Sequence, residues 1–238
     1  MKVGINQPNF FSWLGYFDLL DTVDIFVVLD NVLFGNKPKR INRNFIINKN
    51  GDLIPLTLSI KHNSKTSLIN ECIIVKDKNY LSHLNIIKEH YKTARYYNEV
   101  ISLVEEIYDF PSNILSEFNT NLIRKIFFII FKKQIKIKVA SEDFSNKDYN
   151  NENYFIKISK SLNCNEYFTF QNGFKNNLYN PKNFKKNNIN FYYQLYNHPE
   201  YNNKNFVKFA SILDLLFHDL PNSSKIIRSG RNWIKIKD

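Results

Sequence analysis

Cysteine is scarce: the chain has two, Cys72 and Cys164, and their separation matches neither a zinc ribbon nor a disulfide framework. Both thiols are expected to be structural, in a reducing, cytoplasmic environment. No HxxxH-type cluster occurs among the five histidines, so no metal site is expected. With six glycines the chain has no Gly-rich phosphate loop, and it has no nucleophile elbow. These absences argue against nucleotidase, kinase, metalloenzyme and serine hydrolase chemistry. Long apolar runs are missing too. The longest, Ile126 to Phe131, is far too short to span a bilayer, which predicts no membrane insertion. The short run after Met1-Lys2 is cut off by Asn6-Gln7, so no signal peptide is expected.

What is present begins with charge. Lys and Arg number 33 against 22 Asp and Glu, a formal +11, which favours an anionic partner. Much of it is diffuse, because Lys and Asn recur along the whole length with Ile and Phe. The 238 residues can bury a sizeable core without disulfides or metal. A single domain over 1–238 is expected, with a polar linker near 146–153.

The periodicity predicts an α/β fold. Val3 to Ile5 reads as a buried strand, Leu14 to Leu20 as helix and Ile25 to Leu29 as a second buried strand, which together make a β-α-β unit. In a right-handed crossover Asn6-Gln7 and Asp30-Asn31 then share one carboxyl edge of a parallel sheet, the edge where such folds bind ligands. Arg40 to Lys61, with Asn50-Gly51 between apolar runs, predicts an antiparallel hairpin insertion, and Ile73 to Val75 continues it. Flanking helices are expected over Tyr80 to Tyr108, with a break near Arg95-Tyr96-Tyr97, then over Asn113 to Phe131, Tyr154 to Leu162 and Phe206 to Phe217. Further strands fit Ile135 to Val139, Glu166 to Phe170 and Ile189 to Leu195. The whole is a mixed sheet with flanking helices.

Five positions could carry chemistry. The first is Gln7 to Phe17, where an amide, a proline and five aromatic rings follow a strand; Pro8 fixes the backbone there. Trp13 and Tyr16 are either a hydrophobic lid or the wall of a site. The second is Asp30-Asn31, a turn former or a group that orients a substrate. In the third, Lys37 to Asn44, Lys39, Arg40 and Arg43 either form a generic basic loop or grip a phosphate. The fourth centres on His198, a surface turn residue or a general base. The fifth is Asp214 inside the apolar run Ser211 to Phe217; a charge buried there needs a partner.

In order along the chain, NQPNFFSWLGYFDLLDTVDIFVVLDNV, KRINRNFI, LINECIIV, HYKTARYY and FASILDLLF resemble the WbqC-like protein family of bacterial polysaccharide gene clusters. The match covers nearly the full length. Asn42-Arg43-Asn44 fits the family's Asn-Arg-Asn signature, and Ser211 to Leu216 its C-terminal one. The chain departs from the pattern at Arg40-Ile41, where an aromatic is usual, and at His218 to Pro221, where Asn and Gly are usual.

The resemblance implies sugar modification in O-antigen synthesis, with acylation or aminoacylation of an amino sugar linked to some members; the expectation built on it is transfer of an acyl or aminoacyl group from a thioester donor to the amine of a nucleotide-linked amino sugar, the basic surface suiting an acidic acyl carrier protein as donor and coenzyme A being the alternative. On that reading His198 or Asp30 accepts the proton, and Gln7 and Asn31 orient the sugar. Arg43 with Lys39 or Arg40 meets the diphosphate, Trp13 and Tyr16 cover the ligand, and Asn44 and Asp214 complete the substrate site. The alternative is a noncatalytic nucleotide-sugar-binding accessory of a glycosyltransferase. Nucleic acid is a third reading without a matching motif.

Overall fold

A computed structural model describes residues 1–35, 40–62, 64, 66–144, 152–175, 179–201 and 206–236. The chain runs β1 (Lys2–Asn6), α1 (Leu14–Thr22), β2 (Ile25–Val28), β3 (Arg43–Ile47), β4 (Leu53–Thr57), β5 (Ile60–Lys61), a 3-10 turn (Ile69–Glu71), β6 (Ile73–Ile74), α2 (Lys78–Tyr91), α3 (Tyr97–Tyr108), α4 (Leu115–Phe131), β7 (Ile137–Val139), α5 (Ala140–Asp143), α6 (Glu152–Ser161), β8 (Glu166–Phe170), α7 (Gln171–Lys175), α8 (Pro181–Lys186), β9 (Asn190–Gln194), α9 (Ile212–Asp219), α10 (Ser223–Ser229) and β10 (Trp233–Lys235).

Six strands form one mixed sheet in the order β10-β9-β8-β1-β2-β7. Only β10 runs antiparallel to its neighbour; the other pairings are parallel. Fully buried apolar strands of this kind need helices on their faces, and the β1-α1-β2 unit supplies the first. From β1 the chain winds outward to β2 and, after a long insertion, to β7. It then returns to lay β8 and β9 on the other side of β1. That reversal opens a crevice beyond the carboxyl ends of β1 and β8.

The insertion between β2 and β7 holds the expected hairpin. β3 pairs with β4, and Gly51 in the turn adopts φ 92°, a left-handed conformation that glycine accepts without strain. The Asn48 side-chain oxygen accepts from the backbone N–H of Asn50 and Asp52 at 2.8 and 2.9 Å, closing the loop. The break at Arg95-Tyr96-Tyr97 separates α2 from α3 as the pattern predicts. Helix α9 begins at Ile212 rather than Phe206, because Ser211 caps it through the Leu213 N–H at 3.2 Å. No helix among the described residues is long and apolar enough to cross a membrane. Most of the 146–153 linker lies outside the described residues.

The C-terminal segment docks on α1 through charge. Arg231 Nε donates to Asp18 Oδ1 at 2.6 Å, and Arg228 and Arg231 both pair with Asp21. Asp18 is fully buried. Burial raises its pKa while the Arg231 guanidinium pulls it back, so desolvation offsets part of what this pair contributes to stability.

Candidate functional site

A cleft of about 870 Å³ lies at the reversal point of the sheet. Its floor is made by strand ends: Ile5 and Asn6 from β1, Thr169 and Phe170 from β8, and Gln194 from β9. Trp13, Tyr196 and Phe209 form an aromatic wall. The Trp13 ring meets Phe209 at 5.2 Å and Tyr196 at 5.4 Å, both edge-on. Amides contribute most of the polar lining: Gln7, Asn9, Gln171, Asn172 and Gln194. Arg40 is the single charged residue among those that line it.

The opening segment is held there by amides. Asn119 Nδ2 donates to Pro8 O at 2.9 Å and to Ile41 O at 2.7 Å. Asn44 Nδ2 donates to Phe10 O at 3.1 Å and to Phe11 O, and its Oδ1 accepts from Arg40 Nη1. Phe10 and Phe11 turn inward and are fully buried. The chain therefore leaves β1 in a fixed path, with Phe11 at φ 38°, and presents Gln7, Asn9 and Trp13 outward to the cleft. A Cβ on Gly15 would lie 2.2 Å from the Trp13 ring; the absence of a side chain at that position lets the indole lie flat across α1.

Gln194 is the most constrained of the lining amides. Its Nε2 donates to Gly15 O at 2.9 Å and to Asp18 Oδ2 at 3.0 Å, both of them acceptors only. The amide cannot rotate without facing oxygen to oxygen. Its Oε1 is buried and has no hydrogen-bond partner among the described residues.

Three of the expected site residues, Gln7, Trp13 and Arg40, meet in this cleft. The structure places the others elsewhere. Tyr16 is fully buried behind the wall and spends its hydroxyl on Gln7 O at 3.0 Å; burial pushes its pKa far up, and it supports Gln7 rather than covering a ligand. Asn31 is buried and donates to the Tyr154 hydroxyl at 2.8 Å. Asn44 is spent on the clamp just described. Arg43 lies along β3 with its guanidinium 5.3 Å from the Phe45 ring centroid. Asp214 is fully buried and accepts from Tyr201 at 2.7 Å and from Tyr91 at 3.2 Å, which answers its need for partners. Lys39 lies outside the described residues.

Neither expected base lines the cleft. His198 sits behind the wall, its ring stacked 6.4 Å from Trp13 and edge-on to Phe209 at 5.3 Å. Burial lowers its pKa, and its Nε2 is buried without a hydrogen-bond partner among the described residues. Asp30 lies at the expected sheet edge but faces a separate cleft beside β7. There it accepts from Ser141 N at 2.9 Å and Ser141 Oγ at 2.6 Å, capping α5.

Sequence reasoning passed over Asn9, Gln171, Asn172 and Gln194. The signal for two of them was available, since Gln171-Asn172 follows a buried strand just as Asn6-Gln7 does.

The profile of the WbqC-like protein family matches residues 7–226. An uncharacterized protein of Mycobacterium tuberculosis, Rv1507c, is 30% identical over 124 residues, a stretch that covers 51% of this chain and 49% of that protein. The chain thus spans about half the length of this curated relative. No solved structure matches the chain. With the family profile running from Gln7 in the cleft wall into α10, the chain belongs to the WbqC-like protein family.

Proposed function

We propose that the cleft binds a nucleotide-linked amino sugar and that the protein transfers an acyl or aminoacyl group to the sugar amine in surface-polysaccharide synthesis. The observation that carries the binding half is the lining: amides for hydroxyls, aromatic faces for the sugar or base, and one guanidinium, Arg40, for a diphosphate. Its volume of about 870 Å³ suits a ligand of that size. The transfer half rests on the family resemblance. In that step the amine nitrogen forms the C–N bond at the thioester carbonyl, the C–S bond breaks, the thiolate leaves, and the amine proton passes to solvent or the leaving sulfur. The donor would be a coenzyme A or carrier-protein thioester, and no side chain needs to be covalently loaded.

A second reading, a noncatalytic nucleotide-sugar-binding accessory of a glycosyltransferase pathway, is favoured by one observation: no carboxylate or imidazole lines this cleft among the described residues. Mass spectrometry separates the two. Purified protein, given a nucleotide 3-amino or 4-amino sugar with coenzyme A and carrier-protein thioesters, should produce the sugar amide, and Trp13→Ala should lose it. Binding by calorimetry without amide from either donor class would select the accessory reading.

A further inference from the structure

The cleft that Asp30 faces holds about 490 Å³ and is built from opposite chemistry. Asp30, Glu117 and Glu142 line it against a single cation, Arg124, in a chain whose formal charge is +11. Glu117 and Arg124 come from one face of α4, and Glu142 from the start of α5. No ion pair joins Glu117, Glu142 or Arg124 to another described residue, so the acids are not there to satisfy a neighbour.

Two further lining groups are incomplete. The Asn70 side-chain oxygen is a buried acceptor and the Asn121 side-chain nitrogen a buried donor, each with no hydrogen-bond partner among the described residues; an ammonium can serve only the first. A buried amide oxygen left open costs stability unless something donates to it. Asp30 is 2% exposed, and its two bonds from Ser141 leave lone pairs on both oxygens. Among the described residues no three acids, histidines or cysteines converge as metal ligands require. A donor-rich organic cation fits such a lining better than a metal ion does.

We propose that this second cleft binds a small molecule bearing a primary ammonium group, held by Asp30 at the floor with Glu117 and Glu142 at the mouth. The assignment is independent of what the larger cleft binds. An ammonium offers three donors, enough to serve the Asp30 carboxylate, the Asn70 oxygen and one of the rim acids at once. Its charge also offsets the burial that raises the Asp30 pKa.

The test uses isotope-labelled full-length protein and three matched probes: n-pentylamine, 1-pentanol and hexanoate. Pentylamine should shift the Asn70 and Asn121 side-chain amide resonances saturably, while pentanol and hexanoate leave them in place. Glu117→Gln with Glu142→Gln, both on exposed side chains, should weaken pentylamine by about fivefold or more, and Asp30→Asn should abolish the shifts. If Asp30→Asn does not fold, the glutamine pair alone decides. Equal shifts from pentanol or hexanoate, or pentylamine binding unchanged in the glutamine pair, would overturn the proposal.

Discussion

Two clefts open at the same carboxyl edge of one sheet, yet they differ in nearly every chemical respect. The larger, between β1, β8 and β9, is lined by amides and rings with Arg40 as its one charge. The smaller, beside the end of β7 and against α4, has three acids and one arginine as its charged lining. Strand ends supply polar groups to both, so the sheet edge alone does not set the chemistry. Neighbours do that. Tyr16 fixes the Gln7 backbone, and Gly15 and Asp18 hold the Gln194 amide, at the first cleft, whereas Ser141 fixes Asp30 in the second. A chain of formal charge +11 thereby presents one cleft whose single charged lining residue is positive and one in which acids outnumber the cation.

The largest expected effect belongs to a residue in neither cleft and checks that the two can be distinguished at all. Asp214→Ala strips the acceptor from the Tyr91 and Tyr201 hydroxyls in the core. It should cost roughly 3–5 kcal/mol in denaturant unfolding, the range for breaking a buried network. Both clefts should weaken together as the fold fails. Loss of one site with the other intact at unchanged stability would mean that Asp214 belongs to a site after all.

Next comes pH. Burial drives the His83 pKa down to about 4 from an ordinary 6.5. A histidine depressed in the folded state stabilises above its unfolded pKa and loses that contribution as pH falls. The melting temperature should therefore decline between about pH 6.5 and 4, by up to roughly 3 kcal/mol in stability. His83→Gln should flatten that limb. His83 donates or accepts at the Tyr108 hydroxyl at 2.9 Å, away from both clefts, so ligand affinity measured at pH 7 should not follow the melting curve. An unchanged acid limb in the variant would assign it to other groups.

Arg40→Glu should be selective. Removing the one cation of the larger cleft and placing an acid there should weaken a nucleotide diphosphate sugar by about 10–100-fold, with pentylamine at the smaller cleft unaffected. The finest test is Gly15→Ala. A Cβ there would lie 2.2 Å from the Trp13 ring, and the indole must move. Tryptophan fluorescence should change and sugar binding weaken by roughly fivefold to tenfold. A native spectrum with native affinity would show that the wall adapts without loss.

The same contrast explains what could be read in the sequence. The β-α-β opening was legible, since Val3 to Ile5 and Ile25 to Leu29 are apolar runs whose burial needs no distant information. So was the hairpin at Asn50-Gly51, because turn chemistry is local. Gln7, Trp13 and Arg40 emerged from motif position for the same reason. Asp30 did not resolve, because the direction of its carboxylate depends on β7 lying beside β2, a pairing made across the whole inserted segment. Gln194 was missed because its importance comes from Asp18 and Gly15, far away in sequence. His198 lay next to the right wall, but whether a ring faces a cleft or backs it is decided by packing that periodicity does not encode.

The central claim is that the larger cleft is a nucleotide amino-sugar site. Isothermal calorimetry of a nucleotide-linked amino sugar against wild type, Arg40→Glu and Gln7→Ala, whose side chain lines the cleft, tests it most directly. Saturable binding to one site in wild type, weakened in both variants while their unfolding curves stay close to wild type, is the predicted result. Wild-type affinity retained in both variants, or no binding heat from any nucleotide-linked amino sugar, would contradict it.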